Sequence, residues 1–208
     1  MKVKICGITN SQNYLQALSL GADYCGFIFY PKSPRYVNPF MLIDILNDRP
    51  ATTNQVVGVF VNEDLEKVRE LYLRLSLDIL QLHGDESPDY VNRLGLPCWK
   101  AIRVKNQHSL GNLSLYNCQG FLLDTYKEEK YGGTGESLDL KLVEIALKSG
   151  KKIILSGGLS AKNIQAVFNL EYLPFAIDVN SSIESKPGTK SPRKMECFFN
   201  TFKNLKGI

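Results

Sequence analysis

The sequence predicts an α/β protein built as a single closed (β/α)8 barrel of the TIM type. Three observations carry that expectation. Eight short, β-branched apolar runs recur along the chain, amphipathic stretches separate them, and no linker or low-complexity segment interrupts the alternation. Near-continuous apolar runs suit strands covered on both faces, as in parallel sheets. An open doubly wound sheet usually has fewer strands and an early G-x-G-x-x-G, which this chain lacks. With 208 residues, against about 250 in a typical barrel, residues 1–208 are expected to form one barrel domain of near minimal length.

The expected strands, in order, are Lys2–Cys6, Tyr24–Phe29, Val56–Val61, Ile79–His83, Cys98–Arg103, Gly120–Asp124, Lys152–Leu155 and Phe175–Val179. Helix starts are signalled by Asn38-Pro39, Ser87-Pro88 and Ser191-Pro192, each a capping side chain before a proline that fits the first helical position. Ser160 or Asn163 can open the helix after the seventh strand. Leu65, Val68, Leu71, Tyr72 and Leu75 fall at helical spacing. Gly21, Gly95 and Gly150 follow helical stretches, where a left-handed cap favours glycine.

Composition narrows the function class. Hydrophobic residues at 44% and charged residues at 22% exclude a mainly disordered chain, a collagen-like repeat and a coiled coil. No apolar run approaches a membrane span, and the start has no signal-peptide core, so a cytoplasmic protein is expected. The 25 basic residues exceed the 21 acidic ones by four, which favours the approach of an anionic small molecule. Basic residues are scattered, and the densest stretch, Lys186 to Lys194, holds prolines and no aromatic residue, so nucleic acid is not an expected partner. Five cysteines with no C-x-x-C pair argue against a disulfide framework or a zinc site. No dedicated assembly element is evident, and a monomer is expected.

Barrel enzymes work where strands end and βα loops begin. The first strand ends in Cys6-Gly7, where a cysteine suits either a small buried apolar role or proton transfer. Arg35, in the proline-stiffened loop Tyr30 to Tyr36, suits bidentate binding of a carboxylate or phosphate, or simply solvation. Gln81 and His83 alternate onto one face, His83 as a contact residue or a proton carrier. Asp124 ends an apolar strand, a position that favours keeping a proton for general acid work. Its loop runs on to Gly132-Gly133-Thr134-Gly135, without the Lys-Ser/Thr of a P-loop.

The seventh strand leads into Ser156-Gly157-Gly158-Leu159, and the eighth ends Asp178-Val179-Asn180-Ser181-Ser182. Small residues in these two loops let backbone N–H groups approach phosphate oxygens, and a following helix start adds a favourable dipole. The residues alone thus give a phosphate-binding barrel with Cys6 and Asp124 as a possible base and acid.

Seven blocks then form a familiar series. KICGIT at 4–9, GFIFYPKSPRYV at 26–37, VGVFVNE at 57–63, QLHGDE at 81–86, LLDT at 122–125 with GGTG at 132–135, LSGGL at 155–159 and AIDVNSSIE at 176–184 resemble the phosphoribosylanthranilate isomerase family of tryptophan biosynthesis. The resemblance spans nearly the whole chain in the right order. It implies an Amadori rearrangement of N-(5′-phosphoribosyl)anthranilate to 1-(2-carboxyphenylamino)-1-deoxyribulose 5-phosphate, with no metal and no cofactor. It implies Cys6 as general base, Asp124 as general acid and Arg35 as the residue that meets the anthranilate moiety. Gln81, His83, Gly157, Gly158, Asp178, Asn180, Ser181 and Ser182 complete the expected substrate-binding set.

The chain departs from the family pattern at several positions. Asn180 stands for a serine and Ser182 for a glycine, while Glu136 and Leu138 to Leu140 replace a basic residue and F-D-W. Such changes bear on substrate affinity more than on reaction type. At Ser182 they imply strain, if the glycine has positive φ, or a new hydrogen bond from the hydroxyl. Two other functions compete: a related aminoaldose isomerase of histidine biosynthesis, which would use two aspartates, and a phosphate-ligand binding barrel that has lost catalysis.

Overall fold

The computed structural model describes residues 1–47, 54–125 and 139–207. Eight parallel strands close into a barrel in sequence order: β1 (Lys2–Cys6), β2 (Tyr24–Ile28), β3 (Gln55–Phe60), β4 (Ile79–Leu82), β5 (Cys98–Val104), β6 (Gly120–Thr125), β7 (Ile153–Leu155) and β8 (Ala176–Val179). No strand end lies more than one residue from its expected position. The barrel closes where β8 pairs with β1, from Lys2↔Ala176 to Ile5↔Val179.

The helices form the outer layer: α1 (Ser11–Leu20), α2 (Pro39–Asn47), α3 (Leu65–Arg74), α4 (Pro88–Leu94), α5 (Gln107–Leu110), α6 (Leu140–Leu147), α7 (Gln165–Phe168) and α8 (Pro192–Lys206). Ser87 and Ser191 cap α4 and α8 with a proline in the first turn, and Gly21, Gly95 and Gly150 take left-handed φ. After β7 the chain does not start a helix at Ser160 or Asn163. These two residues instead close a turn, with Ser160 N–H donating to Asn163 Oδ1 at 2.8 Å, and α7 begins at Gln165. A short hairpin, β9 (Glu184–Lys186) and β10 (Thr189–Lys190), precedes α8 and overlaps the start of the basic stretch. No described helix is long and apolar enough to cross a membrane.

Two apolar cores follow from strand alternation. Val3, Ile5, Phe27, Leu80, Leu123 and Ile177 face the helices and join the outer core. Tyr24, Val57, Ile79, Trp99, Ala101, Leu122, Ile154 and Ala176 fill the barrel itself. Within that inner core Trp99 meets Tyr24 edge-on, with ring centroids 4.9 Å apart. Both faces of the strands are therefore packed at this level of the barrel, which explains why the strands read as mainly apolar runs.

Candidate active site

The barrel interior changes character along the strands. Side chains two residues apart share a face, so the inner positions step from Ile79 to Gln81, Leu122 to Asp124, Ile154 to Ser156 and Ala176 to Asp178. Beyond the apolar plug, at the C-terminal ends, these polar groups line a cavity of about 570 Å³. Its walls include Cys6, Arg35, Gln81, His83, Asp124, Gly157, Gly158, Asp178, Asn180 and Ser181. One expected binding residue, Ser182, is not part of that lining. Its hydroxyl donates to the Leu159 carbonyl and ties the β7–α7 loop to the β8–α8 loop. The expected strain is avoided because Ser182 has no positive φ.

Two walls carry the candidate proton-transfer groups. On the β6 side, His83 Nε2 lies 3.3 Å from Asp124 Oδ2, and His83 Nδ1 lies 2.8 Å from Gln81 Nε2. The imidazole is thus held between the Gln81 amide and the Asp124 carboxyl. A buried lattice holds the loop that carries His83. Lys100 Nζ bonds Glu86 Oε2 at 3.0 Å and the carbonyls of Leu82 and Gly84, while Glu86 also accepts from the Asn62 and Gly84 N–H groups.

On the β1 side, Cys6 is 4% exposed. Burial pushes its thiol above the ordinary value, the Lys4 ammonium pulls it down, Asp178 pushes it up again, and the net direction is upward. Lys4 is wholly buried and pairs with Asp178 Oδ1 at 2.8 Å. Ser156 Oγ reaches the other oxygen of Asp178, Oδ2, at 3.4 Å.

Arg35 is brought to the cavity already engaged. Its Nε and Nη2 grip Glu184, at 2.9 Å to Oε1 and 2.7 Å to Oε2, in a side-on pair. Lys190 Nζ meets the same carboxylate at 3.0 Å and the Asn180 Oδ1 at 2.7 Å. Burial raises the affinity of Glu184 for a proton, but hydrogen bonds and charge from Arg35 and Lys190 outweigh it and hold the carboxyl below its ordinary value. Gly7 is required beneath this cluster: its φ is +69°, and a Cβ there would lie 2.8 Å from both Arg35 Cδ and Asn180 Oδ1.

The loop after β7 is shaped to present amides. Gly157 and Gly158 take positive φ (95° and 68°), and Asn163 Nδ2 donates to the Gly158 carbonyl at 2.9 Å. Among the described residues, neither glycine N–H makes a hydrogen bond. A phosphate-sized anion at this point would meet unengaged donors.

Comparison with known proteins matches this geometry to a named group. A family model described as N-(5′-phosphoribosyl)anthranilate isomerase matches residues 3–201. The chain belongs to the phosphoribosylanthranilate isomerase family. An N-(5′-phosphoribosyl)anthranilate isomerase of Trichlorobacter lovleyi is 40% identical over 203 residues, 98% of each chain. The phosphoribosyl anthranilate isomerase of Thermus thermophilus superposes with a TM-score of 0.89 at 32% identity, covering 99% of this chain and 100% of that one. Another phosphoribosyl anthranilate isomerase was solved in complex with reduced 1-(o-carboxyphenylamino)-1-deoxyribulose 5-phosphate. It is 33% identical, with a TM-score of 0.85 and full coverage of both chains.

Of the departures from the phosphoribosylanthranilate isomerase pattern, Asn180 is absorbed by its bond to Lys190 and Ser182 by its bond to Leu159. The GGTG segment at 132–135, Glu136 and Leu138 lie outside the described residues, while Asp139 caps α6 and Leu140 begins it. Lys4, Glu184 and Lys190 are the polar groups that sequence reading missed. For Lys4 a signal existed, since it alternates with Cys6 on β1 and so must point into the barrel.

Proposed function

We propose that residues 1–208 act as one barrel domain that catalyses the Amadori rearrangement of N-(5′-phosphoribosyl)anthranilate, in the cytoplasm and as a monomer. The observation that carries this reading is that Cys6 and Asp124 line separate walls of one polar cavity, together with the positive-φ Gly157–Gly158 loop. The phosphate is assigned to the Gly157–Gly158 loop and to Asn180 and Ser181, with Ser182 as a tether rather than a direct contact. The anthranilate carboxylate is assigned to Arg35, whose Nη1 makes no hydrogen bond among the described residues.

The chemistry needs one acid and one base. Asp124 as the carboxylic acid gives its proton to the ribose ring oxygen, the C1′–O bond breaks, and the nitrogen lone pair forms a C=N iminium. Cys6 as thiolate removes the C2′ proton, and the C–H electrons form the C1′=C2′ bond while the iminium nitrogen is neutralised. The enolamine then gains a proton at C1′ and loses one from its hydroxyl, giving the ketone. His83 orients the Asp124 carboxyl, with Gln81 fixing the imidazole from behind. Because burial favours the thiol at Cys6, only a small fraction is thiolate at neutral pH. The substrate's own nitrogen is the electron sink.

A turnover assay with freshly prepared phosphoribosylanthranilate tests the reading. The unaltered chain is expected to turn the substrate over, and Cys6→Ala and Asp124→Asn are expected to fold normally and lose about 10²- to 10⁴-fold in kcat. A folded variant with normal kcat would remove that residue from the mechanism.

A further inference from the structure

The base proposed above has a neighbour that takes no part in the cavity wall. Lys4 sits two residues before Cys6 on β1, points the same way, and has none of its surface exposed. A lysine charge so deep is costly unless it is paired. Asp178 on β8 supplies the pair at 2.8 Å, in the register that sets Lys4 opposite Asp178. Burial pulls the Lys4 ammonium toward losing its proton, yet the charges and hydrogen bonds of Asp178 and Cys6 outweigh it, so it stays charged.

Space on the other flank brings the ammonium to the sulfur. Gly26 of β2 lies beside Cys6 in the β1–β2 register. A Cβ added at Gly26 would be 3.1 Å from Cys6 Sγ, 3.1 Å from Lys4 Nζ and 3.1 Å from Lys4 Cε. The thiol and the ammonium thus both border the gap that the missing side chain leaves. The charged groups that act on Sγ are Lys4 from its own strand, Asp178 from β8 and Lys190 from β10. Lys190 is occupied by Glu184 and Asn180. Of the two ammonium groups, Lys4 has the larger pull on the thiol.

We propose that Lys4 is a positioning residue for the base: its buried ammonium, anchored on Asp178, faces Cys6 Sγ across the gap left by Gly26 and holds the negative charge that forms there when the thiol is ionised. The inference rests on the reading of Cys6 as the base. It gives the Lys4–Asp178 pair a use beyond stability, since a pair serving only the fold could be replaced by packed apolar residues at little cost. Asp178 has two tasks, facing the cavity and keeping the ammonium in place. Its own charge opposes the thiolate, and the pull of the Lys4 ammonium outweighs it.

The test is a pH titration of the thiolate by its ultraviolet absorbance, taken as the difference between each chain and its Cys6→Ala counterpart, with kcat and KM measured over the same pH range. In Lys4→Met the thiolate transition and the acid limb of kcat are both expected to move up by about one pH unit or more, a tenfold loss of thiolate at fixed pH. KM is expected to change less than threefold. Gly26→Ala keeps both charges but forces the ammonium and the sulfur apart, and is expected to shift both curves in the same direction by less. This second variant decides the matter if Lys4→Met, which strands Asp178, fails to fold. A folded variant whose thiolate titration matches the unaltered chain overturns the proposal, as does a rise in KM with an unmoved pH profile. The absorbance is read without substrate, so a failure of the proposed activity would appear in the turnover of the unaltered chain and not in this titration.

Discussion

Glu184 accepts hydrogen bonds from Arg35 Nε and Nη2 and from Lys190, with only 4% of its side chain exposed. One carboxylate therefore balances two cations, of which Arg35 lines the cavity. Glu184→Gln would leave both without a counter-charge. Breaking a buried pair in this way typically costs about 3–5 kcal/mol. The pH dependence follows from the direction of the shift. Burial works against the carboxylate, but Arg35 and Lys190 hold it below its ordinary value of 4.5. A group depressed in the folded state contributes stability that is present above its unfolded value and lost as pH falls through its folded value. Urea midpoints of the unaltered chain and Glu184→Gln should thus differ most near neutral pH and converge under acid conditions. A gap that stays constant down to pH values below the folded transition would show that the charge is not what Glu184 contributes.

At the scale of elements, the β9–β10 hairpin turns that charge cluster into a fixed wall. It delivers Glu184 and Lys190 from its two strands, turning at Pro187 and Gly188, and Thr9 Oγ1 clips the Gly188 carbonyl at 2.6 Å. Gly188 has φ +83°, and a Cβ there would lie 2.9 Å from the Pro34 carbonyl, in the loop that carries Arg35. Gly188→Ala must therefore push the hairpin off that loop. The expected result is a several-fold rise in KM for phosphoribosylanthranilate, equivalent to about 1 kcal/mol or more, with a smaller change in kcat. Unchanged steady-state constants would mean that the hairpin does not hold Arg35 in place.

This hairpin also marks the limit of what the sequence makes legible. Strand positions in the barrel are local facts, because a run packed on both faces is mainly apolar, and Ile153–Leu155 or the Phe121–Leu123 core of Gly120–Thr125 can be read from their own residues. The same holds for Cys6, Asp124 and the Gly157–Gly158 loop, which sit at strand ends. Arg35 and Glu184 are 149 positions apart, and Lys4 and Asp178 are 174 apart. Only barrel closure brings such partners together. Glu184 and Lys190 carry no local signal of burial, because Thr9, Asn13 and Arg35, from the other end of the chain, pack on them and their hairpin.

For the molecule as a whole, closure depends on its two ends meeting. The first and last barrel strands pair through β1 and β8, and α8 packs on α1 across that seam. Helix α8 buries Met195, Phe198, Phe199 and Phe202, and the Phe202 ring meets Phe168 of α7 at 5.7 Å. Phe198 is fully buried between Phe199 and Phe202, with ring centroids 5.9 Å and 6.5 Å away. Its side chain belongs to the outer core, whereas Cys6, Asp124 and Asp178 stand on the inner face. The outer core and the cavity lining thus lie on opposite sides of the same strands. Phe198→Ala should lower unfolding free energy by about 3–5 kcal/mol, read from urea unfolding. In the absence of urea its kcat should stay within about twofold of the unaltered chain, because a cavity in the outer layer leaves the inner-face geometry in place. A large drop in kcat from a chain that is still fully folded would mean that packing under α8 reaches through the strands to the catalytic wall, and that the two layers are not independent.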